Sequence, residues 1–222
     1  MFIKNILSIL ALAAAFAACT PKTSKAPEVH TNATPETAVV YGALDTATFA
    51  SGCFWCVEAI FESLTGVKEA VSGYSGGHTK NPTYEQVCSH TTGHTEAVQV
   101  YYDPKIVTYE TLLKVYFASM DPTQVEGQGP DHGDSYRSVI FYHNATEQQL
   151  AEAEKKKLGD SGQYKAPIAV IIEPLKVFYE AEGYHQNYEK NHPENPYVRG
   201  VSVPRLKRMQ AKFPELLKSG TH

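Results

Sequence analysis

Two cysteines three positions apart, Cys53 and Cys56, are the residues of this sequence best placed to do chemistry. They lie in the string Gly-Cys-Phe-Trp-Cys, between the β-prone run 46–50 and an amphipathic helical pattern. A cysteine at a helix N-terminus faces unpaired amides, which lower the thiol pKa from its ordinary value of about 8.5. Positions three apart share a helical face, so the two sulfurs can approach disulfide distance. The motif therefore predicts a nucleophilic or redox-active cysteine pair.

Two other interpretations of these cysteines stay open at this point. Both cysteines share a stripe with Val57 and Ile60, so they could be inert core residues. They could also be half of a zinc site, although the further ligands it would need, Cys88 and His90, have an unusual spacing for zinc. We favour the reactive pair, because Cys-x-x-Cys at a helix start has a defined mechanism. We predict no metal and no bound cofactor.

A carboxyl group that could hold a proton is Glu96. Alternation along the predicted strand 96–102 places it on the same face as Val98 and Val100. Burial on an apolar face raises a carboxyl pKa, which would let Glu96 act as a proton donor near neutral pH. A solvated carboxylate at the end of a strand is the alternative.

Further polar candidates lie in or beside two irregular segments. One segment is rich in glycine between residues 73 and 77, and the other, 121–135, holds two prolines and three glycines. A polar loop this long in a compact domain is usually functional. Hydroxyl and carboxyl groups there could bind an oxygen substituent, although each alone is a weak signal. The candidates are Tyr84, Asp131 and Tyr136.

The elements that must hold these residues alternate between strands and helices. Hydrophobic periodicity predicts strands at 46–50, 67–71, 96–102, 138–142 and 168–172. It predicts helices from Gly52 to Gly66, 82–87, 108–119, 146–158 with a capping box at Thr146, and 205–217 with an interruption near Pro214. This order predicts an α/β or α+β sandwich of two layers.

Composition limits the class of protein. The 222 residues are 42% hydrophobic and 20% charged, which is enough to bury a core and excludes wholesale disorder. The formal net charge is −4 and no basic run is longer than the lysines at 155–157, so we expect no nucleic-acid partner. Four cysteines are too few for a fold of this length that is stabilised mainly by disulfide bonds.

The N-terminal segment predicts export. Residues 1–18 combine an early lysine with an apolar run too short to span a bilayer comfortably. The run ends in two alanines before Cys19, which resembles a bacterial lipoprotein signal with Cys19 as the lipidated residue; an ordinary cleaved signal is the alternative. We expect a flexible tether at 19–44 and a folded domain at 45–222. The protein would then be lipid-anchored at the membrane, facing the periplasm or the exterior.

Seven strings in order resemble the methionine sulfoxide reductase A family, over about residues 46–197. They are GCFWCVEA at 52–59, GYSGGHTKNPTYEQVC at 73–88, GHTEAV at 93–98, YDP at 102–104, DPTQ at 121–124, DHGDSYRS at 131–138 and YHQNY at 184–188. The resemblance implies an α+β fold: a two-layer α/β sandwich with a ferredoxin-like plait core, added helices and long loops. It also implies reduction of methionine (S)-S-oxide, free or in proteins.

The resemblance also implies roles for individual residues. Cys53 would be the nucleophile and Glu96 the acid that protonates the sulfoxide oxygen. Phe54 and Trp55 would form the apolar pocket for the S-methyl group. The residues that would bind the oxygen, directly or through water, are Tyr84, Asp131 and Tyr136.

A second thiol must resolve the sulfenic acid that this chemistry leaves on Cys53. Many relatives place resolving cysteines in the C-terminal tail, but no cysteine follows Cys88 here. As in relatives with the Cys-x-x-Cys form, Cys56 is the expected resolver. Cys88 is the alternative, although we interpret it as a buried structural thiol. A thioredoxin-like partner would reduce the Cys53–Cys56 disulfide.

The sequence leaves two other functions open at this point. A thioredoxin-type disulfide oxidoreductase also uses Cys-x-x-Cys at a helix start, but it offers no role for Glu96, Asp131 or the tyrosines. A lipid-anchored binding module would have no chemistry at all. In each case the membrane contact would be through the lipid only, and we expect a monomer.

Overall fold

The computed structural model of the protein describes residues 44–220. The predicted signal, Cys19 and nearly all of the predicted tether lie outside these residues. The strands are β1 (Asp45–Ala50), β2 (Val67–Ser75), β3 (Thr95–Tyr102), β4 (Gly127–Gln128), β5 (Asp131–His132), β6 (Val139–Tyr142), β7 (Ile171–Pro174) and β8 (Phe178–Glu180). The α-helices are α1 (Phe54–Glu62), α2 (Tyr84–Cys88), α3 (Tyr109–Ala118), α4 (Ala145–Asp160), α5 (Tyr188–Asn191) and α6 (Val203–Lys212). A π-helical turn, Val198–Ser202, leads directly into α6.

Six of the strands form one mixed sheet in the order β7-β6-β1-β3-β2-β8. All neighbours in it are antiparallel except β6 and β7, which are parallel. The short strands β4 and β5 form a separate hairpin inside the polar segment 121–135. The fold is therefore α+β, with a mixed six-stranded sheet and helices.

The two faces of the sheet are buried in different ways. Phe49 of β1 belongs to the main core, where its ring stacks on Phe61 of α1 at 5.0 Å and on Tyr116 of α3 at 5.1 Å. Its neighbour Ala50 belongs to a smaller cluster on the opposite face. Because strand residues alternate, the larger core lies on the side that carries α1 and α3. Truncating Phe49 to alanine should cost about 3–5 kcal/mol of stability.

Strand β3 obeys the predicted alternation. Val98 and Val100 are fully buried in the main core, and Glu96, two positions earlier than Val98, is only 2% exposed. Glu96 therefore lies in the protein interior on a strand whose other buried residues are apolar. Their burial offsets the free-energy cost of removing the carboxyl group from water. The alternative of a solvated carboxylate is wrong.

The structure corrects the predicted start of one helix and confirms the predicted interruption of another near Pro214. The cap of α4 is Asn144, whose side chain accepts a 3.0 Å hydrogen bond from Glu147 N, so Thr146 lies inside the helix. An asparagine side chain caps a helix at least as well as that of threonine. Helix α6 ends at Lys212 because the residue before a proline disfavours helical backbone, and Pro214 begins a short 3₁₀ turn.

Strand boundaries also differ from the prediction, most clearly in β2 and β7. Strand β2 runs on to Ser75, where it pairs with Phe178 of β8, which the sequence pattern did not predict. Strand β7 lies at Ile171–Pro174 rather than 168–172.

Within residues 44–220, none of the helices has the length and apolar character needed to cross a membrane.

Candidate active site

The turn between β1 and α1 places Cys53 at the N-cap of α1. Gly52 has φ +70°, and a Cβ there would lie 2.6 Å from Gln128 Cβ, so only glycine fits this turn. The amide of Gly52 donates a 3.1 Å hydrogen bond to the carbonyl oxygen of Tyr136. This bond joins the cysteine turn to the segment that carries Asp131 and Tyr136.

The two thiols of the motif are buried and hydrogen-bonded to each other. Cys53 is 7% exposed and Cys56 is 1% exposed. Burial raises the pKa of Cys53, and the bond from the Trp55 amide only partly offsets it. The pKa of Cys56 is instead lowered to about 6, first by the hydrogen bond with Cys53 and also by the charge of Arg205. The sequence-based expectation of a lowered pKa at Cys53 is therefore corrected, since desolvation outweighs the helix terminus.

The carboxyl group of Glu96 lies beside this turn. Its Oε2 accepts a 2.9 Å hydrogen bond from the backbone amide of Phe54. Burial is the main cause that raises the pKa of Glu96 to about 8, with a smaller contribution from the nearby charges of Asp131 and Cys56 and a partial offset from the hydrogen bond with Phe54. Glu96 therefore carries a proton near neutral pH and can donate it.

One cavity of about 310 Å³ collects the candidates that the sequence had singled out, except Cys56. Its lining residues are Cys53, Phe54, Trp55, Tyr84, Glu96, Asp131, Tyr136, Asn195 and Tyr197. Cys56 lies behind Cys53 and lines a second cleft of about 440 Å³. The nucleophile candidate and the acid candidate thus face the same small space.

The tryptophan of the motif is held by residues that the sequence analysis did not select. Trp55 Nε1 donates a 3.2 Å hydrogen bond to Nδ1 of His185, which is buried. The indole stacks on Tyr188 with ring centroids 3.7 Å apart and an angle of 8°. Both partners belong to the YHQNY string, so the signal was present, but only the fold shows that they fix this ring.

Tyr197 is a second residue that the sequence analysis did not select. Its hydroxyl donates a 2.6 Å hydrogen bond to Asp131 Oδ2 and lies 3.8 Å from Cys56 Sγ. The backbone amide of Tyr197 is held by Asn195 Oδ1 at 2.8 Å. Tyr197 lines both the cavity and the second cleft, so it forms part of the wall between them.

The remaining phenols of the cavity stay protonated. Burial raises the pKa of both Tyr84 and Tyr136, and the nearby charge of Glu96 adds to the effect. The amide of Tyr84 donates a 2.9 Å hydrogen bond to Glu182, which positions the start of α2. Each hydroxyl can therefore donate a hydrogen bond to an oxygen atom in the cavity.

The proposed zinc partners lie elsewhere. Cys88 is half-buried and hydrogen-bonds with Tyr84, and His90 pairs with Asp134 at 2.6 Å. Within residues 44–220, no three His, Cys, Asp or Glu side chains are grouped so that they could hold a metal ion. The prediction that Cys88 is buried is thus only partly correct, since its side chain reaches the edge of the site.

An α+β protein whose cavity joins one cysteine of a buried cysteine pair to a protonated carboxyl group is typical of a thiol-dependent oxidoreductase. The family model for peptide methionine sulfoxide reductase matches residues 45–217. The chain is 49% identical over 174 residues to peptide methionine sulfoxide reductase MsrA of Natronomonas pharaonis, a match that covers 78% of this chain and 98% of that one. It is 56% identical over 148 residues to MsrA of Bacillus licheniformis, covering 67% of this chain and 82% of that one.

The solved structures agree with these sequence matches. Methionine sulfoxide reductase A of Corynebacterium diphtheriae superposes with a TM-score of 0.63 at 34% identity, covering 69% of this chain and 77% of that one. The chain belongs to the peptide methionine sulfoxide reductase A family. The two rival functions, a disulfide oxidoreductase and a binding module without chemistry, are therefore set aside.

Proposed function

We propose that this reductase converts methionine (S)-S-oxide, free or in proteins, to methionine with Cys53 as nucleophile and Glu96 as proton donor. The observation that supports this most directly is that Cys53 and Glu96 line one small cavity, where Glu96 is buried and protonated near neutral pH. A sulfoxide is a poor electrophile until its oxygen is protonated, so the pairing of acid and thiol suits this reaction.

The walls of the cavity match the two ends of a methyl sulfoxide. The rings of Phe54 and Trp55 offer an apolar surface for the S-methyl group. The hydroxyls of Tyr84 and Tyr136 offer donors for the oxygen, and Asp131 is oriented by Tyr197. A sulfoxide oxygen is an acceptor, so protonated phenols suit it.

The first half-reaction moves one oxygen atom. The sulfur of Cys53 attacks the substrate sulfur while Glu96 gives a proton to the sulfoxide oxygen. The thioether of methionine leaves, Cys53 keeps the oxygen as a sulfenic acid, and the thiol proton of Cys53 replaces the one that Glu96 gave. The net change is one sulfoxide reduced and one thiol oxidised.

The second half-reaction restores the thiols. Cys56 condenses with the sulfenic acid, which releases water and leaves the Cys53–Cys56 disulfide. The hydrogen bond between the two thiols supports this pairing. A thioredoxin-like dithiol protein then reduces the disulfide by thiol–disulfide exchange.

The decisive experiment is stereospecific. The purified protein should reduce the S epimer of methionine sulfoxide and leave the R epimer unchanged, as expected for one enzyme per epimer. Cys53→Ser should abolish the reaction. Turnover that survives in Cys53→Ser, or equal reduction of both epimers, would contradict the proposal.

We also propose that the core is a ferredoxin-like plait. The four strands β6-β1-β3-β2 are adjacent and antiparallel, and in chain order α1 follows β1 and α3 follows β3. Strands β7 and β8 would then be additions at the two edges of this core. A folding fragment without β8 but with the four central strands would support this division, and collapse of the fragment would contradict it.

We further propose that the protein is exported and anchored by a lipid on Cys19, and that it acts as a monomer. The short apolar leader and the alanines before Cys19 support the anchor. Mass spectrometry of the mature protein should find a lipidated Cys19 at the N-terminus, and Cys19→Ser should release the protein from membranes. An unmodified N-terminus at any other residue would contradict the anchor.

A further inference from the structure

Arg205 is a buried cation in α6, with 6% of its surface exposed. Its Nε donates to Ser119 O at 2.9 Å, its Nη1 to Ser51 O at 2.9 Å and its Nη2 to Ser51 Oγ at 2.7 Å. All three acceptors are neutral, and no carboxylate of residues 44–220 forms an ion pair with this guanidinium. A buried charge is usually paired with an opposite charge. We therefore expect another anionic group to lie near Arg205.

The ionisable group that fits this need is the thiol of Cys56. Arg205 and Cys56 line the same cleft, and the charge of Arg205 lowers the pKa of that thiol. The Tyr197 hydroxyl lies 3.8 Å from the Cys56 sulfur but donates its proton to Asp131, and the Ser202 hydroxyl donates its proton to Glu189, so Arg205 is the group left to balance a charge on this sulfur. The π-helical turn before α6 brings Ser202 close to this sulfur and Arg205 to the same cleft.

Other charged and titratable groups also surround Cys56, and some of them oppose the effect of Arg205 on this thiol. The thiol of Cys53 and the protonated carboxyl group of Glu96 lie close to it, and Glu189 and Asp131 approach from other elements as acids whose charge disfavours a thiolate. Exposed Arg208 and Lys212 of α6 line the outer part of the cleft. A buried cation therefore favours a thiolate that would otherwise face only acids in the protein interior.

We propose that Arg205 is a positioning residue that acts as the counter-ion of the Cys56 thiolate and so prepares this sulfur to resolve the sulfenic acid on Cys53. The inference rests on the proposed function, because it concerns the second half-reaction. In that step the Cys56 thiolate forms a bond to the Cys53 sulfur and the S–O bond breaks. The oxygen leaves as water with a proton from Glu96, so one thiolate is oxidised and the sulfenic sulfur is reduced.

The test is a pH titration of Cys56, in which the ultraviolet absorbance of the thiolate reports the ionised fraction. The full chain carries Cys88→Ser and also Cys53→Ser, whose hydroxyl can still donate a hydrogen bond to the Cys56 sulfur, and the same chain with Cys56→Ser is subtracted. With Arg205 present, the midpoint should lie well below the ordinary thiol value of about 8.5. Arg205→Gln should raise the midpoint by about one unit, a tenfold change in the ionisation constant, and Arg205→Lys should recover most of it.

A purely structural role for Arg205 predicts a different pattern. Ser51→Ala removes one of its hydrogen bonds but keeps the charge, so this control should leave the midpoint in place. Equal shifts in Arg205→Gln, Arg205→Lys and Ser51→Ala would overturn the proposal. If Arg205→Gln does not fold, the parent alone still decides, since a midpoint of about 8.5 or higher would also overturn it.

A kinetic measurement complements the titration. In the chain with all its cysteines, disulfide formation after one equivalent of methionine sulfoxide should be about tenfold slower in Arg205→Gln at a pH below both midpoints and should recover as the pH rises. A loss that does not recover with pH would contradict the counter-ion role. If methionine sulfoxide is not reduced at all, the proposed function fails, whereas the titration still tests the coupling of Arg205 to Cys56.

Discussion

The backbone amide of Phe54 donates a 2.9 Å hydrogen bond to the carboxyl group of Glu96. Phe54 directly follows Cys53, so this bond ties the acid to the helix that carries the nucleophile. The two residues are 42 positions apart in the chain, and the pairing of β2 with β3 and the packing of α1 bring them together. A shift of either element would therefore change the distance between acid and sulfur.

Replacing Glu96 by glutamine should slow the first half-reaction by roughly 10²- to 10⁴-fold, the usual range for a lost proton donor. Glutamine can still accept the hydrogen bond from Phe54, so the fold of the site should survive. Rapid quenching and measurement of the first equivalent of methionine would show the effect. A rate within a few-fold of the parent would remove Glu96 from the mechanism.

The first half-reaction should also depend on pH through Glu96. The pKa of this group is raised to about 8, and the protonated form is the one that donates. The rate should therefore hold its value below that pH and fall above it, provided the thiol is not limiting. The single-turnover pH profile of the parent should show this fall, and the profile of Glu96→Gln should lack it. A fall of the same size in both would assign it to another group.

Replacing Cys56 by serine should separate the two half-reactions. The variant should still release about one methionine per enzyme molecule without reductant, because Cys53 is intact, but it should lose turnover driven by thioredoxin. Cys88→Ser is the matched control and should cycle normally. Normal cycling by Cys56→Ser, or a block in Cys88→Ser, would transfer the resolving role to Cys88.

Glu58 should make stability fall with rising pH. Its buried carboxyl accepts hydrogen bonds from Ser72 Oγ and the amide of Asn187, and burial raises its pKa from 4.5 to about 7. A raised carboxyl pKa means that the folded state binds the proton more tightly. This contribution is complete below the unfolded pKa and is lost as the pH rises through about 7.

The measurement is urea unfolding of the parent and Glu58→Gln across this range. Glutamine can keep both contacts without a charge, so the parent should lose stability relative to the variant between pH 5 and pH 8, by at most about 3 kcal/mol. A constant difference between the two proteins across this range would show that Glu58 does not titrate there.

The sequence alone determined the local part of the site. A β-prone run, a glycine and an amphipathic pattern were enough to put Cys53 and Cys56 at the start of a helix, because these signals act between residues close in the chain. Alternation alone placed Glu96 on the buried face of its strand. The ordered strings then identified the family, whose model spans residues 45–217.

Tertiary structure decided what surrounds the two thiols and how burial and charge act on each of them. Arg205 reaches Ser51 across 154 positions of sequence, and Tyr197 reaches Asp131 across 66. A pKa depends on desolvation and on charges that act through space, so no local pattern could place the lowered pKa on Cys56 rather than Cys53. For the same reason, no local sequence pattern could show that His185 and Tyr188 hold the Trp55 ring.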